Sequence, residues 1–126
     1  MDDSNLLERA AGLFNRKLYF ECHDLLEEAW AEEKGEDRKF LQGLIHVSVG
    51  LYHLAAGNYT GATNLLRSGI EKLERFAPSR HGLDLTGLLE RARTCLDKSE
   101  RLGAGEHLAW GDDDVPEMRF EEGRAR

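Results

Sequence analysis

Between Gly35 and Gly57 the sequence places Phe40, Leu41, Leu44, Ile45, Val47, Val49, Leu51, Tyr52, Leu54 and Ala55. Wound into a helix, these side chains cover nearly the whole circumference, and a helix apolar all round must be surrounded by other elements. A chain of 126 residues suits one core. The segment, from about Glu36–Asp37 to Ala56, therefore predicts one bundle with its third helix in the middle. Gly43 and Gly50 lie seven residues apart on one face of it. A helix-interior glycine costs roughly 1 kcal/mol relative to alanine, so the pair points to a second helix approaching closely there.

The rest of the chain reads as helices separated by turn residues. Asn5 and Glu8 have capping-box spacing and precede Leu6, Leu7, Ala10, Leu13 and Phe14 at helical period, which predicts a first helix ending near Asn15–Lys17. A second runs from about Tyr19 to Lys34 and stops at Gly35. Asn58 caps a fourth that reaches Phe76, where Pro78 forbids continuation. Asp84 caps a fifth, from Leu85 to about Leu102, ended by Gly103-Ala104-Gly105. A register of 40 residues aligns Tyr19 with Tyr59, Cys22 with Ala62, Leu26 with Leu66 and Ala29 with Gly69. The implied unit is a helical hairpin used about twice, close to a tetratricopeptide-type hairpin with a slightly long period. Residues 103–126 differ: they carry seven acidic residues, Asp112 to Asp114 among them, against three arginines and show no helical pattern. They read as an acidic tail that either wraps over the 1–102 helical body through Leu108, Trp110, Val115 and Phe120 or trails from it.

Charge and cysteine use narrow the function classes. A net charge of −7 and a pI near 5.2 argue against nucleic acid, whose phosphates demand a basic face. No apolar run approaches the roughly 20 residues of a membrane span. Met1-Asp2-Asp3-Ser4 lacks the regions of a signal peptide, so a cytoplasmic location is expected. Cys22 and Cys95 belong to no metal-spaced cluster and read as buried thiols.

One narrow polar stripe interrupts the third helix. Gln42, His46 and His53 fall within about 40° of one another, with Arg38 and Lys39 at the N-terminal end. On the second helix His23 and Glu27 sit at i and i+4 on the edge of the apolar face, beside Trp30. If these helices pack as an antiparallel pair, His23 and Glu27 face the stripe. Imidazoles with a carboxylate form the ligand set of a zinc or iron site, and the same groups serve as an acid–base pair. Two plainer readings stand beside that one: a thin solvent-exposed face, or buried polar side chains that satisfy partners and fix helix register. No HExxH, paired ExxH, nucleophile–base pair or glycine-rich phosphate loop occurs. Trp30 and Tyr52 are expected in the core, and His81 and His107 lie in loops with no identifiable partner.

Phe14-Asn15, Tyr19-Phe20-Glu21-Cys22-His23-Asp24-Leu25-Leu26-Glu27-Glu28-Ala29-Trp30, Arg38-Lys39-Phe40-Leu41-Gln42-Gly43-Leu44-Ile45-His46, Leu51-Tyr52-His53 and Gly57-Asn58-Tyr59-Thr60-Gly61-Ala62 together closely resemble a family of small bacterial and archaeal helical proteins, domain of unknown function 309. The resemblance covers roughly residues 10–76 and implies a compact all-α fold with no established activity. His23, Glu27, Arg38, Gln42 and His53 match the family pattern, whereas Asp24 stands where glutamate is usual and His46 where glutamine is frequent. The sequence thus leads to an all-α domain of about five helices, two stacked hairpins around a buried central helix. Its expected role is a scaffold or binding module for a protein or peptide partner or a second copy, with no cofactor. The alternative is a metal-assisted or acid–base enzyme using His23, Glu27, Gln42, His46 and His53, with Arg38 beside them in the candidate pocket and His23, Glu27 and His53 as candidate ligands of a divalent metal.

Overall fold

Helix α3 (Asp37–Ala55) runs through the centre of the computed structural model, with Phe40, Leu41, Leu44, Val47 and Leu51 wholly buried. The structure describes residues 4–111 and 114–121; Met1–Asp3, Asp112, Asp113 and residues 122–126 lie outside it. Around α3 stand α1 (Ser4–Asn15), α2 (Tyr19–Glu32), α4 (Tyr59–Glu74) and α5 (Leu85–Gly103). Each helix packs against the next in the chain, α3 against α4 most extensively. The fold is all-α, as expected, apart from a short antiparallel hairpin between α4 and α5: β1 (Ser79–Arg80) and β2 (Leu83–Asp84).

The glycines on α3 explain the tightness of its main contact. A Cβ at Gly43 would lie 2.8 Å from Leu73 Cγ, and one at Gly50 2.9 Å from Leu66 Cγ, both on α4. The reverse holds at Gly69 of α4, where a Cβ would meet Val47 Cγ2 at 2.8 Å and the Gly43 carbonyl oxygen at 2.9 Å. Missing side chains on both helices let each backbone receive the other's leucines and valines, and close packing of that kind leaves no void to absorb an added methyl.

Two helix ends are built alike. Lys17 (φ +63°) follows α1 and Gly57 (φ +81°) follows α3, both in the left-handed region. The next amide reaches back five residues in each case, Leu18 N–H to the Leu13 carbonyl at 3.0 Å and Asn58 N–H to the His53 carbonyl at 2.8 Å. These are Schellman ends, which satisfy carbonyls that a helix terminus orphans. Three of the pairs in the 40-residue register are buried on both sides, Cys22 with Ala62, Leu26 with Leu66 and Ala29 with Gly69, whereas Tyr19 is buried and its counterpart Tyr59 only partly so. Asn58 and Asp84 cap α4 and α5 as the sequence predicts, accepting from Gly61 and Gly87 N–H, each at 3.1 Å.

The tail docks. Leu108, Trp110, Val115 and Phe120 are half-buried, Met118 is buried, and Phe120 bridges Leu83 on the hairpin. Asn15 closes the arrangement from the other end: its Nδ2 donates to the Met118 carbonyl (2.9 Å) while its Oδ1 accepts from Met118 N–H (2.8 Å).

The hairpin is held to α3 by a buried charge cluster. Asp37, 7% exposed, accepts from Arg80 Nε at 2.9 Å and Nη2 at 2.8 Å, and His81 Nε2 lies 2.9 Å from each carboxylate oxygen. His81, placed in a loop without a partner by the sequence reading, occupies the hairpin turn in a left-handed conformation (φ +51°). Burial pushes the Asp37 pKa up, but hydrogen bonds from His81 and Arg80 outweigh it and hold the carboxyl below its ordinary value.

Gly69→Ala should lower stability by about 1–3 kcal/mol in chemical denaturation, even though alanine is the better helix former. Gly12→Ala on α1, where an added Cβ meets nothing within 4 Å, should be neutral or stabilise by up to about 1 kcal/mol; equal effects at the two sites would refute the interlocking contact. Since the Asp37 pKa is depressed on folding, its contribution is present above the ordinary carboxyl value of 3.8 and is lost as pH falls through the folded-state value. Asp37→Asn should therefore cost about 2–3 kcal/mol near neutrality and flatten the acid limb of the stability profile; an unchanged acid limb would dismiss the cluster.

Candidate functional site

The arrangement of α2 against α3 brings two of the candidate histidines to one place. Phe20 and His23 from α2, with Val49, Tyr52 and His53 from α3, line a depression of about 200 Å³. The His23 ring is half-buried and held on both sides: Nε2 lies 3.2 Å from Glu27 Oε1, and Nδ1 lies 3.2 Å from the Phe20 carbonyl and 3.3 Å from Asp24 Oδ1. The i, i+4 spacing of His23 and Glu27 on α2 produces this contact directly. Opposite, His53 Nδ1 lies 3.3 Å from Asn58 Nδ2, and its ring meets Tyr52 edge-on with centroids 5.9 Å apart.

Phe20 and Tyr52 are the large hydrophobic side chains that this site leaves in solvent, at 51% and 45% exposure. Their ring centroids are 5.8 Å apart, within the range at which aromatic pairs attract. The exposure of Tyr52 corrects its expected place in the core: Phe20 of α2 and Trp110 and Val115 of the tail come beside its ring without burying it. Tyr52 also walls a second depression of about 450 Å³, shared with Tyr19, Ala55, Ala56, Trp110 and Val115 and with Lys17 and Gly111. The tail completes this one, since Trp110 and Val115 belong to it. The two depressions thus flank one tyrosine ring along the seam between α2 and α3.

The remaining candidates go elsewhere. His46 turns toward α4, where its Nδ1 lies 2.9 Å from Ser68 Oγ, itself 2.8 Å from Lys72 Nζ. Burial first, and the Lys72 charge second, hold the His46 pKa below the ordinary histidine value. Arg38 closes the end of α2: its Nη1 donates to the carbonyls of Trp30 (2.8 Å) and Glu33 (3.1 Å), and its guanidinium lies 3.8 Å from the centroid of the Trp30 ring. Gln42 is half-buried between them and has no hydrogen-bond partner among the described residues. Both cysteines are free and buried. Burial pushes the Cys22 thiol up to about 11 and the Cys95 thiol up to about 12, which leaves both protonated and unreactive near neutrality.

As a metal centre, the strongest grouping is His23, Asp24 and Glu27, one ligand atom from each lying within 4.8 Å of the others. Asp24 joins this grouping from the solvent-exposed side of α2. Phe20 was overlooked as well: a single aromatic on the polar side of an amphipathic helix carries no periodic signal, and its meaning comes from Tyr52 beside it. No described helix is long and apolar enough to cross a membrane.

The model of the domain of unknown function DUF309 matches residues 7–65, which confirms the resemblance read from the motifs. The match runs from α1 into α4 and contains His23, Glu27, Arg38, Gln42, His46 and His53; the hairpin, α5 and the tail follow it. The chain is similar to the uncharacterized protein YpuF of Bacillus subtilis (strain 168), 38% identical over 89 residues, which cover 68% of this chain and 51% of that protein. It is also similar to an uncharacterized protein of Aquifex aeolicus (strain VF5), 25% identical over 84 residues, covering 66% of this chain and 25% of that one. The chain thus spans about half the length of the first relative and a quarter of the second.

Proposed function

We propose that the helical body whose residues 7–65 match DUF309 is a cytoplasmic binding module, which takes a peptide or protein segment into the seam between α2 and α3. The observation that carries this reading is the exposed pair Phe20–Tyr52, set side by side over two depressions. Exposed aromatics clustered at a concave site mark interaction surfaces, because their burial repays the ordering cost of binding. The equivalent Schellman ends after α1 and α3 support reading the body as two copies of one hairpin, an architecture that presents such seams. The candidate acid–base groups are divided between two faces, which favours binding over catalysis. Selection from a random peptide library should enrich sequences that bind the wild-type protein and lose at least about tenfold in affinity to a Phe20→Ala/Tyr52→Ala variant of unchanged helicity. Enrichment indifferent to both rings would end this reading.

A second reading has its own observation. His23, Asp24 and Glu27 bring three ligand atoms together, and His53 lines the same depression, a donor set that suits a divalent metal such as zinc. On this reading untagged protein purified without chelators or metal resin carries near one equivalent of zinc by plasma mass spectrometry, and His23→Ala loses it. Metal content unaffected by His23→Ala would remove this reading.

A further inference from the structure

We infer that the occupant of the α2–α3 seam is a basic amphipathic helix; this rests on the binding-module reading above and names the partner's chemistry. The shape argues for a helix. One tyrosine ring, Tyr52, separates the two depressions, and side chains one helical turn apart, about 5–6 Å between Cβ atoms, reach past a single ring to fill both. The seam itself lies between two helices, the setting in which an amphipathic helix lays down apolar anchors at i, i+3 or i+4 and i+7.

The charge argues for a basic one. Asp24 and Glu27 lie within about 40° of Phe20 on the α2 wheel, and both touch the His23 ring that lines the smaller depression. Glu21, Glu28 and Glu32 are exposed further round the same helix. Among the described residues none of these five carboxylates is ion-paired with a lysine or arginine; Asp24 and Glu27 meet only His23. Elsewhere on the surface several acids are paired, as in Glu74–Arg93, Glu100–Arg67 and Glu117–Arg119, so the five on α2 concentrate negative charge beside the seam. An apolar seam bordered by an unneutralised acidic wall accepts a helix whose own apolar stripe is bordered by lysine or arginine, and repels an acidic one. The acidic wall also attracts that partner over a distance of about one Debye length, roughly 8–10 Å at physiological salt.

The test uses the full chain and two labelled synthetic helices of about five turns with identical leucine stripes, one otherwise lysine and one otherwise glutamate, followed by fluorescence anisotropy. The lysine peptide should bind at least about tenfold more tightly than the glutamate peptide. Phe20→Ala/Tyr52→Ala should weaken it by at least about tenfold. Asp24→Asn/Glu27→Gln should weaken it several-fold and reduce its salt dependence, leaving the glutamate peptide unaffected; thermal melts confirm that each variant is folded. Lysine-peptide binding that survives loss of both rings is charge attraction alone and overturns the inference. Equal binding of both peptides, or failure of both while library-selected peptides still depend on Phe20 and Tyr52, overturns the basic helix and leaves the binding module standing. A dimer in sedimentation velocity that the two ring substitutions dissolve gives the seam to a second copy and overturns it as well.

Discussion

Gly43, Gly50 and Gly69 let α3 and α4 approach until leucine and valine side chains of one helix rest on the backbone of the other, and the remaining architecture is arranged around that contact. Because α4 occupies the glycine face of α3, α2 is left with another face, and its polar edge falls beside His53 rather than His46. The division of the polar stripe follows. His46 sits where α4 passes and takes Ser68 as its partner, and His53 sits where α2 passes and shares a depression with His23. A helix apolar nearly all round needs neighbours nearly all round, and the arc that α2 and α4 cover least is the arc that presents Tyr52.

Much of the scaffold was legible because it is encoded locally. Asn58 and Asp84 cap helices with their own side chains, Gly57 and Gly105 supply the positive φ that a helix end requires, and the glycines of α3 reveal their purpose through what they lack. What could not be read depends on residues far apart in sequence. Asp37 and His81 are separated by 44 positions, and nothing near either one announces the other. The hairpin that carries His81 has strands of two residues, too short for any alternating pattern. Lys17 adopts the conformation that Gly57 adopts without a glycine to signal it.

The site was half legible for a related reason. Spacing on one helix places His23 against Glu27 and sets His53 near His46 on a wheel, but the wheel does not say which neighbouring helix covers which degree of arc. Arg38 illustrates this: on the stripe it reads as a candidate ligand-binding cation, and in the fold it completes the C-terminal end of α2 through the Trp30 and Glu33 carbonyls. Phe20 shows the converse, an aromatic on a charged helix that acquires a role only when Tyr52 arrives beside it. Family resemblance carries the same boundary, since the matched residues 7–65 include every candidate polar group and exclude Trp110 and Val115, which complete the larger depression.

The paired hydrogen bonds between Asn15 and the Met118 backbone give the order of synthesis a structural meaning. Asn15 leaves the ribosome with both polar groups of its amide unanswered, and the strand that answers them is made about a hundred residues later. At elongation rates of roughly 5–20 residues per second, the early helices exist for seconds with that end of α1 open to water. The wall carrying Trp110 arrives in the same late stretch. The larger depression therefore forms after the smaller one: Phe20, His23, Val49, Tyr52 and His53 are translated well before Trp110 and Val115, which complete the wall beyond Tyr52.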